Sequence, residues 1–210
     1  PNEESLAECN KVQNRNRDLV ACVKKIQKFG LQVQGGFIVG FDNDPLSIFE
    51  RLSAFIQESG IVTAMVGLLN APRGTRLYHR LVKEGRLLKD ISGDNTDFSI
   101  NFVPKMDYEV LINGYKRIIS RIYSPKPYYE RVRSFLREYK PLQKKAFRFN
   151  LNYPGAFFKS ILFLGIIGKE RLHYWKLFFW TALRRPRLFP LAMTLAIYGS
   201  HFRRVFENYL

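Results

Sequence analysis

The sequence has few cysteines and histidines. Its 210 residues include two cysteines, Cys9 and Cys22, and three histidines, His79, His173 and His201. Two cysteines in one helical pattern cannot form the disulfide framework of a small secreted protein, and the first ten residues are polar and acidic, unlike a secretory leader. The histidines show no spacing typical of a metal site. We therefore expect a cytoplasmic protein in which these residues bind no metal.

Acidic residues are scarce in the second half of the chain. Residues 1–110 contain 14 Lys and Arg and 14 Asp and Glu, whereas residues 111–210 contain 20 and 4, so the net charge of +16 belongs entirely to the second half. A hydrophobic content of 46% is enough to bury a core in one domain or two small ones. The charge asymmetry predicts two functional regions, the second of which binds an anionic partner.

The sequence also lacks an apolar run long enough to cross a membrane. The longest uncharged run, residues 188–202, has 15 residues and includes Pro190, whereas a transmembrane helix needs about 20 apolar residues. Clusters of aromatic and basic residues instead favour a helix lying in the interface of an anionic membrane, at the inner face of the cell membrane. The residues that we expect to contact lipid are Trp175, Phe179, Trp180, Arg184, Arg185 and Arg187.

Two alternatives to the membrane interpretation remain open. Aromatic residues at helical spacing often form a core, so this region could instead pack on the rest of the protein. Basic and aromatic residues are also used to bind nucleic acid, but here the aromatic residues cluster with Leu and Ile instead of alternating with basic groups. We therefore do not expect nucleic acid as the partner.

Helical and strand patterns alternate between residues 19 and 85. Apolar residues at helical spacing, strands of continuous apolar residues, and glycines at the ends of helices predict the order helix, strand, helix, strand, helix. This order is typical of a parallel sheet covered by helices. The predicted helices are 19–29, 45–59 and 77–82, the predicted strands are 33–39 and 61–69, and two further helices are predicted at 107–122 and 128–139.

Several stretches of the sequence resemble one enzyme family. In GGFIVGFDND, Gly36, Ile38 and Gly40 resemble the Gly-x-Ile-x-Gly segment on the fifth strand of radical S-adenosylmethionine enzymes. That pattern often has an acid three residues after its second glycine, where this sequence has Asn43. PNEESL is similar to the stretch that follows the fourth strand, and LLNAPRGTRLY resembles the sixth strand and the Pro-x-Gly-Thr-x-Leu-Tyr turn of members that also bind cobalamin. GDNTDFSINFVPKM and GYKRIISRIYSPKPYYERVRSFL resemble the hopanoid C-2 methylase-like branch, which ends in an uncharacterised C-terminal domain.

The resemblance implies an α/β fold for the first part of the chain. It implies the closing β/α units of a partial TIM-like barrel, with parallel strands, followed by an all-α basic C-terminal region. Residues 1–86 would be the C-terminal part of the barrel, residues 87–140 an irregular segment and helices packing on it, and residues 141–210 the basic, aromatic helical region.

The resemblance also implies a binding site for the adenosyl group of S-adenosylmethionine. Ligands of barrel enzymes bind at the carboxyl ends of the strands, where glycine lets a flat ring approach the backbone. The residues implied to shape this pocket are Gly36, Ile38, Gly40, Leu69, Asn70 and Ala71. The alternative is that the glycines relieve crowding against a helix.

The chain lacks the cluster-binding loop that the family's reaction requires. A [4Fe–4S] cluster is held by a Cys-x-x-x-Cys-x-x-Cys loop, and Cys9 and Cys22 are too far apart to form one. The cluster and cobalamin would therefore be held by residues absent from this chain. We expect a C-terminal fragment, consistent with a start at Pro1, that is inactive alone. Its parent would be a methyltransferase-like enzyme that cleaves S-adenosylmethionine to a 5′-deoxyadenosyl radical and acts on a small or lipid-like substrate. The alternative is a non-catalytic membrane- or partner-binding module that retains a barrel remnant.

A polar cluster follows the third predicted helix. The stretch SGDNTD concentrates hydroxyl, amide and carboxylate groups, and Asp94, Asn95 and Asp97 are its candidates for lining a substrate cavity. A solvated turn would have the same composition. No catalytic residue is predicted beyond these candidates.

Overall fold

Helices and strands alternate in the first part of the structure, and helices alone follow. The computed structural model describes residues 11, 14, 17–88, 99–141 and 154–207. Its elements are α1 (Leu19–Lys28), β1 (Gln34–Val39), α2 (Ile48–Ser59), β2 (Thr63–Leu68), α3 (Arg76–Lys83), α4 (Tyr108–Tyr123), α5 (Pro125–Glu138), α6 (Pro154–Ser160), the π-helix Ile161–Ile167, α7 (Arg171–Arg184), the 3₁₀-helix Pro186–Leu188 and α8 (Phe189–Glu207).

The predicted alternation of elements between residues 19 and 85 is confirmed. Local signals set the boundaries, as at Thr75, whose side-chain oxygen accepts a hydrogen bond from the Tyr78 N–H at 3.1 Å and caps α3. The helix predicted from residue 128 instead begins at Pro125, because the first turn of a helix accommodates proline.

Strands β1 and β2 form a two-stranded parallel sheet. Helix α2 connects them, and the Leu69 N–H donates to the Val39 carbonyl at 2.9 Å, so both strands end at the same edge. The α/β class with a helical C-terminal part is therefore confirmed. Two strands do not by themselves confirm a partial barrel.

The described residues divide into two compact units. Those in Gly35–Phe55 and Ala64–Ile119 belong to the first unit, and those in Asp18–Gln34, Ile56–Thr63 and Ser120–Leu210 belong to the second. The division predicted at residues 86 and 140 follows the order of the chain and stays a prediction.

The core of the first unit covers one face of the sheet. Phe49 of α2 packs directly against Gly114 of α4, where any side chain would overlap the Phe49 ring. The Tyr115 hydroxyl donates to the Val66 carbonyl at 3.1 Å, and burial raises the pKa of Tyr115 to about 12. Helix α4 is therefore joined to α2 by an apolar contact and to β2 by a hydrogen bond.

The opposite face of the sheet is exposed, which corrects the prediction of a sheet covered by helices. Ile38 of β1 is 50% exposed and Met65 of β2 is 59% exposed. Exposed and half-buried residues alternate along β1, as in a strand with one covered face. Among the described residues, helices cover one face only.

A buried arginine joins several segments of the second unit. The Arg131 guanidinium donates to the carbonyls of Ile122 (2.9 Å) and Val62 (3.4 Å) and to the Gln57 side chain (3.1 Å). It also lies over the Tyr128 ring at 5.3 Å. Burial lowers the pKa of Arg131 to about 10. These contacts tie α5 to the segment that precedes β2.

The C-terminal helices pack on α5 within the second unit. The Tyr128 hydroxyl donates to the Leu195 carbonyl of α8 at 2.7 Å, and the Tyr129 ring stacks on His173 of α7 with centroids 6.1 Å apart. These contacts are made with α5, and the alternative that the region packs on the barrel stays a prediction. No helix among the described residues is both long and apolar enough to cross a bilayer.

Candidate functional site

Four of the predicted pocket residues lie just after the ends of β1 and β2, at the edge that the two strands share. They are Gly40 after β1 and Leu69, Asn70 and Ala71 after β2. Gly40 follows β1 and has a backbone φ of 105°, which favours glycine. A Cβ atom at Gly40 would lie 3.7 Å from the Leu69 Cβ and 3.2 Å from Cδ2 of buried Leu111. Gly40 therefore lies close to Leu111 and Leu69, and its role in the adenosyl pocket stays a prediction. Leu69 continues into Asn70 and Ala71.

The exposed face of the sheet leaves backbone open to a ligand. A Cβ atom at Gly36 or at Gly67 would meet no atom within 4 Å. Ile38 lies in β1 between Gly36 and Gly40 and is half exposed. Gly36 and Ile38 are therefore accessible to a flat ring. Gly67 is an equally open position in β2 that the sequence analysis missed. Its place inside the apolar run MVGLL is the signal that could have identified it.

Asn101 positions the segment after β2, and sequence analysis did not identify it. The Ala71 N–H donates to the Asn101 Oδ1 at 2.8 Å, and the Asn101 Nδ2 donates to the Ala71 carbonyl at 2.9 Å. In the same way, Asn70 Nδ2 donates to the Ser99 carbonyl and Asn70 Oδ1 accepts from the Asn101 N–H. Both polar atoms of the Asn70 side chain thus bind other protein groups, so a contact between Asn70 and a ligand would have to be made by its backbone.

Both aspartates of the FDND turn have structural partners. The Asp44 Oδ2 accepts from the N–H groups of Gly40 (2.9 Å) and Phe41 (3.0 Å), which fixes the bend after β1. Asp42 forms a two-pronged ion pair with Arg86, at 2.7 and 3.0 Å, and Arg80 approaches the same carboxylate at 3.0 Å. The hydrogen bond from Arg86 holds the pKa of Asp42 below its usual value. Asp42 is therefore a permanent anion, unsuited to proton transfer near neutral pH.

The remaining predicted candidates give no described catalytic cluster. Asp94, Asn95 and Asp97 lie outside the described residues, as does Cys9. Among the residues that the structure describes, no group of three His, Cys, Asp or Glu side chains could hold a metal ion, and Cys22 is an exposed free thiol.

The six predicted lipid-contacting residues differ in exposure. Phe179, Arg184 and Arg187 are exposed. Trp175 is half-buried because its indole N–H donates to the Gly165 carbonyl at 2.9 Å and its ring stacks on Phe179. Trp180 is also half-buried, with the Arg137 guanidinium 5.9 Å from its ring. The Arg185 side chain donates to the Arg137 carbonyl. The two tryptophans are thus partly used in packing.

A basic cleft lies between α5 and α7. It has a volume of about 110 Å³ and is lined by Lys126, Tyr129, Glu130, Arg133, His173 and Lys176. Three of these side chains are Lys or Arg and one is Glu. The Arg133 Nε and the Tyr129 hydroxyl are buried and have no hydrogen-bond partner. An anion in the cleft would neutralise part of this charge.

In the comparisons with known proteins, the similar proteins are named as a methyltransferase and a methylase. Residues 75–210 match the family model described as a domain of unknown function, DUF4070. An uncharacterised methyltransferase of Synechocystis is 34% identical over 205 residues, covering 96% of this chain and 38% of the relative. The hopanoid C-2 methylase of Rhodopseudomonas palustris is 29% identical over 192 residues, covering 88% of this chain and 35% of the relative. The chain thus spans little more than a third of the length of these relatives. No solved structure matches the chain.

Proposed function

The chain belongs to the DUF4070 family. From that premise we propose that it is part of a radical S-adenosylmethionine enzyme, which is methyltransferase-like by its relatives. The two curated relatives, named as a methyltransferase and a methylase, support this proposal because their similarity extends over nearly the whole chain. We further propose that the parent enzyme depends on cobalamin and acts on a small or lipid-like substrate, since one relative is named for a hopanoid.

The observation that carries the proposal is the exposed face and shared edge of the β1–β2 sheet. Gly36 and Gly67 leave the backbone uncovered there, and Ile38 supplies an apolar wall. Such a surface fits an adenine ring or ribose, which stacks on flat backbone and apolar side chains. The open glycines therefore fit the adenosyl group of S-adenosylmethionine. Asn101 acts as a positioning residue, because it fixes both backbone polar groups of Ala71 at the edge.

The chain's own residues do not fit an iron–sulfur cluster. Cys22 is the one cysteine among the described residues, and no group of three metal-binding side chains occurs in that part of the chain. When bound, S-adenosylmethionine would be the source of the 5′-deoxyadenosyl radical, with the reducing electron coming from a cluster held by residues outside this chain. The role that we assign to this chain is narrower: Gly36, Ile38 and Gly67 bind and orient the nucleoside.

The proposal is tested by filling the open face in the full-length protein. We expect Gly36→Val and Gly67→Val each to weaken the binding of S-adenosylmethionine, measured by isothermal titration calorimetry, by about tenfold or more, because the added methyl groups occupy the space of the ring. Gly155→Val is the matched control, since Gly155 is also an open glycine but lies on α6. Unchanged affinity in both strand variants, with unchanged melting temperatures, would reject the assigned nucleoside site.

The alternative of a non-catalytic binding module gives a different result in the same experiment. A module of that kind would show no saturable binding of S-adenosylmethionine in the full-length protein, with or without the substitutions. The comparisons do not favour this alternative over the enzyme.

A further inference from the structure

The outer face of α7 carries large apolar side chains that are exposed on the surface. Leu172 is 79% exposed, Phe179 is 56% exposed and Leu183 is 81% exposed. They follow the spacing i, i+7, i+11 and therefore share one side of the helix. The opposite side is buried through Tyr174, Leu177 and Thr181. The exposed apolar residues therefore lie on the side of α7 opposite its buried side.

The helical segment before α7 also carries exposed apolar side chains. Phe158, Phe163, Ile166 and Ile167 are exposed large hydrophobic residues of α6 and the π-helix. Single exposed apolar residues are normal on soluble proteins, but a concentration of this kind indicates a surface that contacts another apolar phase.

The same helices are strongly basic. Residues 154–207 contain nine Lys and Arg and two acidic residues, Glu170 and Glu207. Glu170 is buried and lies 3.5 Å from the Arg203 guanidinium, so it contributes little negative charge to the outer surface. A surface that combines exposed leucines with this charge is complementary to an anionic lipid bilayer.

Lys176 connects the apolar stripe to the basic cleft. It lies four residues after Leu172 and three before Phe179, on the exposed side of α7, and it also lines the cleft with Lys126 and Arg133. The volume of about 110 Å³ is several times the ~30 Å³ that one water molecule occupies in the liquid. The buried Arg133 Nε without a partner is a donor available to a phosphate oxygen.

We propose that the outer face of α7 docks on an anionic phospholipid bilayer. Leu172, Phe179 and Leu183 insert among the acyl chains, and the cleft beside Lys176 holds a lipid phosphate. Phe179 also belongs to the set that the sequence pattern indicated, whereas Trp175 and Trp180 are left out because they are partly occupied by contacts within the protein. Nucleic acid is a poorer partner for this surface, because leucine side chains insert into lipid but offer no ring on which a base can stack.

The test is flotation of the intact chain with vesicles made of equal parts phosphatidylcholine and phosphatidylglycerol, compared with vesicles of phosphatidylcholine alone. We expect binding to the mixed vesicles only. Lys176→Glu should lower the partition coefficient on the order of thirtyfold, because it replaces one attractive charge with a repulsive one. The combined substitution Leu172→Ser/Leu183→Ser should abolish flotation. All three residues are exposed, so the circular dichroism spectrum and the melting temperature should not change.

Matched controls make the outcomes decisive. Lys83→Glu changes the same charge on α3, and Leu46→Ser/Leu88→Ser removes two other exposed leucines. If the control variants lost flotation as strongly as the α7 variants, the assignment of the outer face of α7 as the docking surface would be overturned. Equal recovery with neutral vesicles, or a chain that binds inorganic phosphate but no vesicle, would overturn the proposal of a lipid bilayer.

Discussion

At the scale of single residues, Asp42 is the clearest electrostatic contribution to stability. Its carboxylate is almost fully buried and is held by Arg86 and Arg80. We expect Asp42→Asn to lower the free energy of unfolding by about 3 kcal/mol at pH 7, because Arg86 loses its buried anionic partner and keeps only the more exposed Glu84. Urea denaturation followed by circular dichroism measures this difference.

The pH dependence of the same variant has a defined sign. Because the folded-state pKa of Asp42 is lowered, its stabilising contribution is present above the unfolded-state pKa of about 4 and is lost as the pH falls through the folded-state pKa. The difference between wild type and Asp42→Asn should therefore shrink in acid. Glu50→Gln is the control, since its exposed ion pair with Arg117 at 3.6 Å should contribute less than about 1 kcal/mol. A difference that stays constant down to the lowest pH would contradict this assignment.

Asn101 allows a local prediction at the edge of the sheet. Asn101→Ala leaves both backbone polar groups of Ala71 without their partners, and we expect a loss of about 3 kcal/mol of stability. Hydrogen exchange of the Ala71 amide should become faster. The Leu69 amide, which donates to the Val39 carbonyl, is the internal reference and should change less. Equal acceleration at both amides would indicate global destabilisation in place of a local clamp.

At the scale of secondary-structure elements, close packing of α8 on α5 depends on one glycine. A Cβ atom at Gly199 would lie 2.2 Å from the Tyr128 ring. The Tyr128 hydroxyl also donates a hydrogen bond to the Leu195 carbonyl of α8. We expect Gly199→Ala to destabilise the protein by about 2 kcal/mol, because overpacking outweighs the gain in helix propensity.

Gly155 provides the comparison for this substitution. It lies in α6, and a Cβ atom there would meet nothing within 4 Å. Gly155→Ala should therefore leave stability unchanged or raise it by up to about 1 kcal/mol. Urea denaturation midpoints that move in the same direction for both variants would show that packing against Tyr128 is not the cause.

At the scale of the whole molecule, the uneven distribution of charge predicts a partial dependence of membrane binding on salt. Raising the NaCl concentration from about 0.1 M to about 1 M shortens the Debye length from ~10 Å to ~3 Å. Vesicle binding should weaken by about tenfold but remain measurable, because insertion of Leu172 and Leu183 is not screened. Co-sedimentation with vesicles across this range measures the effect, and binding that does not respond to salt would contradict the contribution of the basic cleft.

The sequence by itself determined the local features of this protein. The order of the elements from α1 to α3 follows from apolar periodicity, glycines and caps, all of which act within a few neighbouring residues. The sequence motifs also identified the hopanoid C-2 methylase-like relatives, which the comparisons confirm. The adenosyl pocket, the substrate residues and the three-region division remain predictions.

Only the tertiary structure decided which side chains are used in contacts within the protein and which are exposed on its surface. Asn101 meets Ala71 from 30 residues away and Arg86 meets Asp42 from 44 residues away, and no local pattern encodes such pairs. In α7, apolar residues surround the whole helix, so periodicity could not show that Tyr174 is buried and Leu172 exposed. That choice depends on where α5 packs, because burial is a property of the neighbouring surface and not of the residue alone.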